Sequence, residues 1–303
     1  MKLSISRFLP LFLGSFSSAS PPHHPPQKWQ SLPSIPLNPR QEHVTLALSQ
    51  KTIAVLGGII PASSNSTGEV PFLTTPLLQL YSIPDRTWLA TPSPAPVALN
   101  HPNGAVHNSK IYVLGGLSEI DSTVTWRASP SSFVYSPKSN TWSSLPPIPA
   151  SHVPRGSAAM GVSSSGVIYL AGGMTALPLT PDGIQQSISD VAAFDTKTNE
   201  WIALHPAARN LPAPRDHAGA AVINNKFYVV GGRDKGQLNV RDTVFVLDLD
   251  KPEEGWKTKR SRMPTPRGGI AAAAVGDKIY TFGGEGDVTK DSGVFDQVEV
   301  TMF

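Results

Sequence analysis

The sequence predicts an all-β protein in which five copies of one four-stranded sheet unit follow one another along the chain. Three marks predict it: a glycine pair that ends a short apolar run, a tryptophan downstream of the pair, and a Pro-Arg dipeptide or its variant upstream. The first glycines of successive pairs are 58, 57, 59 and 52 residues apart. A period near 50 residues is typical of repeated sheets that stack side by side.

The glycine pair closes a run that is apolar at nearly every position. Such a run predicts a strand that is buried on both faces, and glycine lets neighbouring backbone come close where the strand ends. The five runs, each with its glycine pair, are Ile53–Gly58, Ile111–Gly116, Ile168–Gly173, Phe227–Gly232 and Ile279–Gly284.

The tryptophan follows an aromatic or apolar residue and a polar turn in four of the units. The pairs are Tyr81 and Trp88, Tyr135 and Trp142, Phe194 and Trp201, and Leu247 and Trp256. We expect this tryptophan on the outermost strand of each sheet, where it bridges adjacent units. A single unit cannot bury both faces of its sheet, so radial stacking into a closed ring is expected.

The upstream mark places a basic residue in front of a run of small residues in every unit. These residues are Arg40, His101, Arg155, Arg215 and Arg267. Repetition predicts that they form a ring at the mouth of a central channel, where guanidinium groups can bind a carboxylate, enolate or sulfate ligand. The alternative is structural, with each arginine fixing a loop or pairing with an acid.

The ordered glycine, aromatic and tryptophan marks resemble the kelch-repeat superfamily over residues 28–303. The resemblance implies a β-propeller, and the five glycine pairs predict five four-stranded blades. The galactose oxidase type of this fold, a class of secreted copper enzymes, uses a tyrosine cross-linked to a cysteine. The chain has no cysteine, so that copper-radical chemistry is excluded, and we predict no metal and no cofactor.

The fifth unit lacks a tryptophan strand of its own. The segment from Lys28 to Pro33 matches the segment around Trp142, and we therefore predict that the Trp29 strand completes the last blade. Pairing the first and last segments in one sheet removes an exposed strand edge. The alternative is a six-bladed propeller truncated by one unit.

The N-terminus predicts secretion. Basic residues, an apolar stretch and small residues follow one another as in a signal peptide, which we place at residues 1–19. Residues 20–27 read as a Pro-rich linker, and Asn65 begins an N-glycosylation sequon. We therefore expect a secreted glycoprotein; the alternative is an apolar N-terminus on a cytosolic protein.

Charge and hydrophobicity argue against nucleic acid partners and against a membrane span. The net charge is +3 and the basic residues are scattered along the chain, so we predict no nucleic acid partner. The apolar stretch of the predicted signal peptide is short and contains Pro10, so we predict no membrane span. A monomer is expected.

Two histidines are candidate catalytic groups because the other units do not repeat them. His43 lies beside Glu42 and His217 lies beside Asp216, and such pairs can transfer protons near neutral pH. The residues that follow the glycine pairs are apolar in units one to three and charged in units four and five. This asymmetry fits an amphipathic ligand.

The function predicted is the handling of a small organic molecule. The protein would be a non-metal isomerase, a cyclase or an accessory protein in a fungal secondary-metabolite pathway. A fold does not decide function, so whether the protein is an enzyme stays open. Two alternatives remain: a propeller that binds a protein partner, and a protein that binds carbohydrate or the cell wall.

Overall fold

The computed structural model describes residues 30–62, 72–120, 125–179 and 183–302. The chain divides into an N-terminal unit of residues 1–32 and a second unit of residues 33–303. The described residues of the first unit, 30–32, are exposed and irregular. The predictions for residues 1–19 and 20–27, and those for Trp29 and Asn65, lie outside the described residues.

The described residues of the second unit are all-β apart from two short 3-10 helices, and they form five successive antiparallel blades, which confirms the predicted five-bladed propeller. Blade 1 contains β1 (Val44–Ser49), β2 (Thr52–Leu56), β3 (Ile59–Pro61), β4 (Phe72–Thr74), β5 (Leu78–Ser82) and β6 (Thr87–Trp88). Blade 2 contains β7 (Gly104–His107), β8 (Lys110–Ile120), β9 (Thr125–Ser136) and β10 (Thr141–Leu145).

Blades 3 and 4 repeat the four-stranded arrangement. Blade 3 contains β11 (Ala159–Val162), β12 (Val167–Ala171), β14 (Val191–Asp195) and β15 (Glu200–Ile202), while β13 (Ala176–Pro178) pairs with β9 of blade 2. Blade 4 follows the helix η1 (Pro206–Ala208) and contains β16 (Gly219–Ile223), β17 (Lys226–Val230), β18 (Val244–Asp248), the helix η2 (Pro252–Glu254) and β19 (Lys257–Thr258).

Blade 5 has three strands among the described residues. They are β20 (Ala271–Val275), β21 (Lys278–Phe282) and β22 (Val298–Met302). The fourth strand that the sequence assigns to Trp29 stays a prediction. No helix among the described residues has the length and apolar character that crossing a membrane requires.

The blades pack through their innermost strands, since each of β1, β7, β11, β16 and β20 contacts the next in this order. Small residues make the close approach possible. A Cβ atom on Gly161 of β11 would lie 2.6 Å from the ring of Phe227 in the following blade. Phe227 is fully buried in the cluster that joins blades 3 and 4.

The repeated tryptophans connect neighbouring blades, as the sequence predicts. Each indole Nε1 donates a 3.0 Å hydrogen bond to a backbone carbonyl earlier in the chain, and in blades 2 to 4 that carbonyl follows the outer strand of the preceding blade. The four bonds run from Trp88 to Pro33, from Trp142 to Ser93, from Trp201 to Pro146 and from Trp256 to Ala208. The carbonyl of Pro33 thus accepts the tryptophan hydrogen bond of blade 1, as the carbonyl of Pro146 does for blade 3.

One face of blade 5 is exposed among the described residues. Val298 and Phe282 are 62% and 42% exposed, whereas the equivalent Val244 and Val230 of blade 4 are 3% and 1% exposed because blade 5 covers them. The face is apolar, as a face that packs against another sheet would be.

Candidate functional site

Four backbone hydrogen bonds between successive blades form an open ring at the axis of the propeller, and among the described residues none joins blade 5 to blade 1. In each blade one residue has a left-handed conformation, and its N–H donates to the carbonyl of the equivalent residue in the preceding blade, from the second blade to the fifth. The residues are Glu42, His101, Ser157, His217 and Gly269, with φ between 49° and 61°. Four of them are not glycine, and such backbone strain concentrates at functional sites.

This ring corrects the alignment of one predicted residue. Counting back two positions from the left-handed residue reaches Arg155 and Arg215 in blades 3 and 4, but Leu99 in blade 2. His101 is therefore equivalent to Glu42 and His217. The prediction that aligned His101 with the four arginines is wrong.

The four arginines lie against their own blades. Arg40, Arg155 and Arg267 donate to the backbone carbonyls of Leu77, Asp190 and Gln297, and Arg215 donates to the hydroxyl of Thr243. Each acceptor residue directly precedes the third strand of its sheet. Arg155 and Arg267 are fully buried. Each guanidinium thus has a structural partner, and ligand binding by Arg40, Arg155, Arg215 and Arg267 stays a prediction.

The structure brings Glu42, His101 and His217 together at the axis. The Glu42 carboxylate lies 2.9 Å from His101 Nε2 and 3.9 Å from His217 Nε2. The two imidazole rings meet edge to face with their centres 4.9 Å apart. His43, by contrast, is exposed and belongs to no such group, so only one of the two predicted His-acid pairs lies in the cluster.

A second layer of polar groups holds these side chains. His217 Nδ1 lies 2.7 Å from Asp216, and Arg233 donates to Asp216 at 3.0 Å. Arg233 also contacts His217 Nε2 at 3.1 Å and forms an ion pair with Glu285. His101 Nδ1 lies 2.6 Å from the side-chain oxygen of Asn100.

The residues that follow the glycine pairs form a second ring beside the first. Ile59, Leu117 and Met174 are buried with Trp126 in one apolar cluster, while Arg233 and Glu285 occupy the equivalent positions in blades 4 and 5. The axis thus has an apolar side and a charged side, as the sequence indicates.

A cavity of about 480 Å³ opens onto both sides of the axis. Its polar lining includes Glu42, His101 and Arg233, and its apolar lining includes Ile59 and Trp126. Gln185 also lines it, is 6% exposed, and has no hydrogen-bond partner for its side-chain oxygen. An unpartnered buried polar atom is rare in a native structure, and here it faces space that a ligand can fill.

The charges of the cluster shift one another's pKa. Burial alone would raise the pKa of Glu42, but the two imidazoles hold it well below its usual range. Burial lowers the pKa of His101 more than Glu42 raises it. Burial also opposes protonation of His217, yet hydrogen bonds to Asp216 and Glu42 raise its pKa overall.

Sequence reasoning missed two groups of this site. Asn100 contacts His101 as its blade 4 equivalent Asp216 contacts His217, but as a neutral amide it was not recognised as part of a proton-transfer pair. Gln185 lies in the connection that follows β13, where no repeat mark exists. Its position depends on how that connection folds back over the channel.

Comparisons with known proteins agree with the fold. The profile of the KLHDC2/KLHL20/DRC7 Kelch-repeats domain matches residues 101–301. The Kelch-like protein terF of Aspergillus terreus is 39% identical over 95% of this chain, which spans 61% of the length of terF. Alpha-scruin of Limulus polyphemus is 26% identical over 86% of this chain and 26% of its own length.

A solved structure described as that of YjhT superimposes with a TM-score of 0.68 at 17% identity. The superposition covers 90% of this chain and 84% of the other. At this identity the likeness concerns the fold alone. The family match, by contrast, covers two thirds of the chain and includes four of the five glycine pairs. The chain therefore belongs to the kelch-repeat β-propeller proteins.

Proposed function

We propose that the protein binds a small organic molecule in the axial cavity and acts on its polar end. The reaction class that fits is an isomerisation or a cyclisation in a secondary-metabolite pathway; the alternative within this proposal is an accessory protein that only holds the molecule. One observation carries the proposal: Glu42, His101 and Arg233 converge with the apolar side of the axis in a single cavity of about 480 Å³.

The size and lining of the cavity support a small molecule. Pockets of about 300–1,000 Å³ with apolar walls and a few convergent polar groups are typical of such sites. Trp126 and Ile59 line the cavity and belong to one buried apolar cluster, so this wall is apolar and firmly packed. Gln185 offers a carbonyl oxygen that can accept a hydrogen bond from the ligand.

The chemistry supported is proton exchange with a bound carbonyl, enol or hydroxyl group. Imidazole and carboxylate groups are the usual proton donors and acceptors, and Arg233 beside them can stabilise negative charge on an oxygen atom. The cluster is largely buried, so bulk water competes little for the same hydrogen bonds.

Metabolite profiling tests this function. A strain without the gene should accumulate one compound and lose another relative to its parent, and a plasmid copy of the gene should restore both. Unchanged metabolite profiles, under conditions in which the gene is transcribed, would rule out a role in a biosynthetic pathway.

Protein binding is the second candidate, because relatives of this chain include Kelch-like proteins and Kelch repeat and BTB domain-containing proteins. Kelch domains commonly mediate protein interactions. A partner that co-purifies in a one-to-one complex, and that still binds a variant whose cavity is blocked by Gly236→Trp, would favour this candidate.

We also propose that the protein enters the secretory pathway, on the basis of the signal-like residues 1–19 and the sequon at Asn65. Mass spectrometry of protein from its own host provides the test. A mature N-terminus at Ser20 and a glycan on Asn65 are expected, whereas an intact Met1 on intracellular protein would overturn the proposal.

A further inference from the structure

The two buried imidazoles at the axis point the same ring nitrogen at one place. Each Nδ1 lies beside an oxygen of the preceding residue: His101 beside Asn100 at 2.6 Å, and His217 beside Asp216 at 2.7 Å. Each Nε2 is thereby directed toward Glu42. Histidines that bind metals are almost always anchored in this way, with one nitrogen on an oxygen acceptor and the other on the metal.

The spacing of the three groups suits a small cation. One oxygen of Glu42, Nε2 of His101 and Nε2 of His217 lie within 4.8 Å of one another. Zinc bonds of about 2.0–2.2 Å in tetrahedral geometry place ligand atoms about 3.3 Å apart. The carboxylate distances of 2.9 Å and 3.9 Å lie on either side of that value.

The charges of the cluster leave room for a divalent ion. Glu42, Asp216 and Glu285 carry three negative charges, and Arg233 supplies one positive charge. With neutral imidazoles the formal charge of these groups is −2. Asp216 is fully buried and paired with Arg233, whereas the Glu42 carboxylate is 35% exposed, so the net negative charge next to the two imidazoles attracts a cation.

We propose that Glu42, His101 and His217 bind a divalent first-row transition metal ion of the zinc class. Two imidazoles and one carboxylate are a donor set that such ions favour. The metal replaces the proton that Glu42 and His101 share in the structure. The cavity that Glu42 and His101 line leaves an open position for an oxygen atom of a bound molecule. The site departs from the sequence expectation of no metal, and it requires no organic ligand to form.

Arg233 opposes the metal. Its guanidinium lies 3.1 Å from His217 Nε2, so it must withdraw from that nitrogen when the metal binds. Asp216 and Glu285 bind its Nε and Nη1 atoms, and only Nη2 contacts His217. Removing this positive charge should therefore strengthen metal binding, whereas removing a ligand should abolish it. If the cluster were only a structural hydrogen-bond network, the Arg233 and ligand substitutions would not change zinc affinity in opposite directions.

Isothermal titration calorimetry with zinc chloride on chelator-treated protein tests the proposal. We expect one zinc ion per chain, at least 100-fold weaker binding in Glu42→Gln and His217→Asn, unchanged binding in the matched control His43→Asn, and at least 10-fold tighter binding in Arg233→Gln. Cobalt(II) provides a second readout, since a four-coordinate site gives intense visible absorption.

Absence of one-to-one binding to the wild-type protein would overturn the proposal, as would binding that Glu42→Gln and His217→Asn leave unchanged. Because the titration contains no organic ligand, neither result bears on the small-molecule function. Conversely, unchanged metabolite profiles would leave the metal site standing.

Discussion

The buried ion pair of blade 3 tests whether the repeated arginines are structural. Arg155 is fully buried, and its guanidinium contacts the carboxylate and the carbonyl of Asp190. Blade 2 has Leu99 and Ser131 at these two positions. Arg155→Leu should therefore leave a partly buried carboxylate without its cation, while Arg155→Leu combined with Asp190→Ser should reproduce a pairing that the fold already accommodates.

The expected loss for Arg155→Leu is about 3 kcal/mol in the free energy of unfolding, at the low end of the range for broken buried ion pairs, because the Asp190 side chain remains 22% exposed and keeps a bond to His152. The double variant should recover about half of this loss. Urea denaturation followed by circular dichroism measures both. A double variant no more stable than Arg155→Leu would refute a structural role.

The pH dependence follows from the same pair. Burial opposes ionisation of Asp190, but His152 and Arg155 lower its pKa below the ordinary value. A carboxyl whose folded pKa is depressed stabilises the protein above its unfolded pKa of about 3.9, and this contribution is lost as pH falls through the folded value. The stability difference between wild type and Arg155→Leu should thus stay constant from pH 7 to about pH 5 and shrink below about pH 4.

Three further predictions concern the packing of the blades, each measured by chemical or thermal unfolding. Trp201→Phe removes the indole bond to Pro146 and should lower the free energy of unfolding by about 1 kcal/mol; no loss would mean that the bond contributes nothing. Gly161→Val drives a side chain into Phe227 and should cost about 2 kcal/mol or more. Gly276→Ala meets no atom within 4 Å and carries only the strain of a left-handed backbone, with φ 61°, of about 1 kcal/mol, so it should cost less. If Trp29 completes the last blade, Trp29→Ala should lower the unfolding temperature about as much as Trp142→Ala, and an unchanged temperature would contradict that closure.

The blades could be predicted because each repeat mark has a local physical cause. The apolar run before Gly115 and Gly116 must be a buried strand, and Trp142 must reach the neighbouring blade. The glycine pairs also allowed the apolar and charged sides of the axis to be predicted, because Ile59 and Arg233 each directly follow an equivalent glycine pair.

The site itself was only partly predictable, because its register depends on backbone conformation. His101 and His217 occupy the same left-handed position in their blades. The residue types alone do not distinguish this position from the one two residues earlier, which the arginines occupy in other blades. The meeting of the two histidines with Glu42 across the axis depends on ring geometry. His43 lies beside an acidic residue just as His217 does, but His217 occupies the left-handed position of its blade, whereas His43 follows that position and is exposed.

Complementation with two histidine variants tests the central claim, that the axial cluster is the functional site, most directly. A strain without the gene receives the wild-type gene, His217→Asn or His43→Asn, with equal protein levels verified by immunoblot, and the affected metabolite is quantified. Wild type and His43→Asn should restore the metabolite, while His217→Asn should leave it at the level of the strain without the gene. Full restoration by His217→Asn would show that the axial cluster is not the functional site.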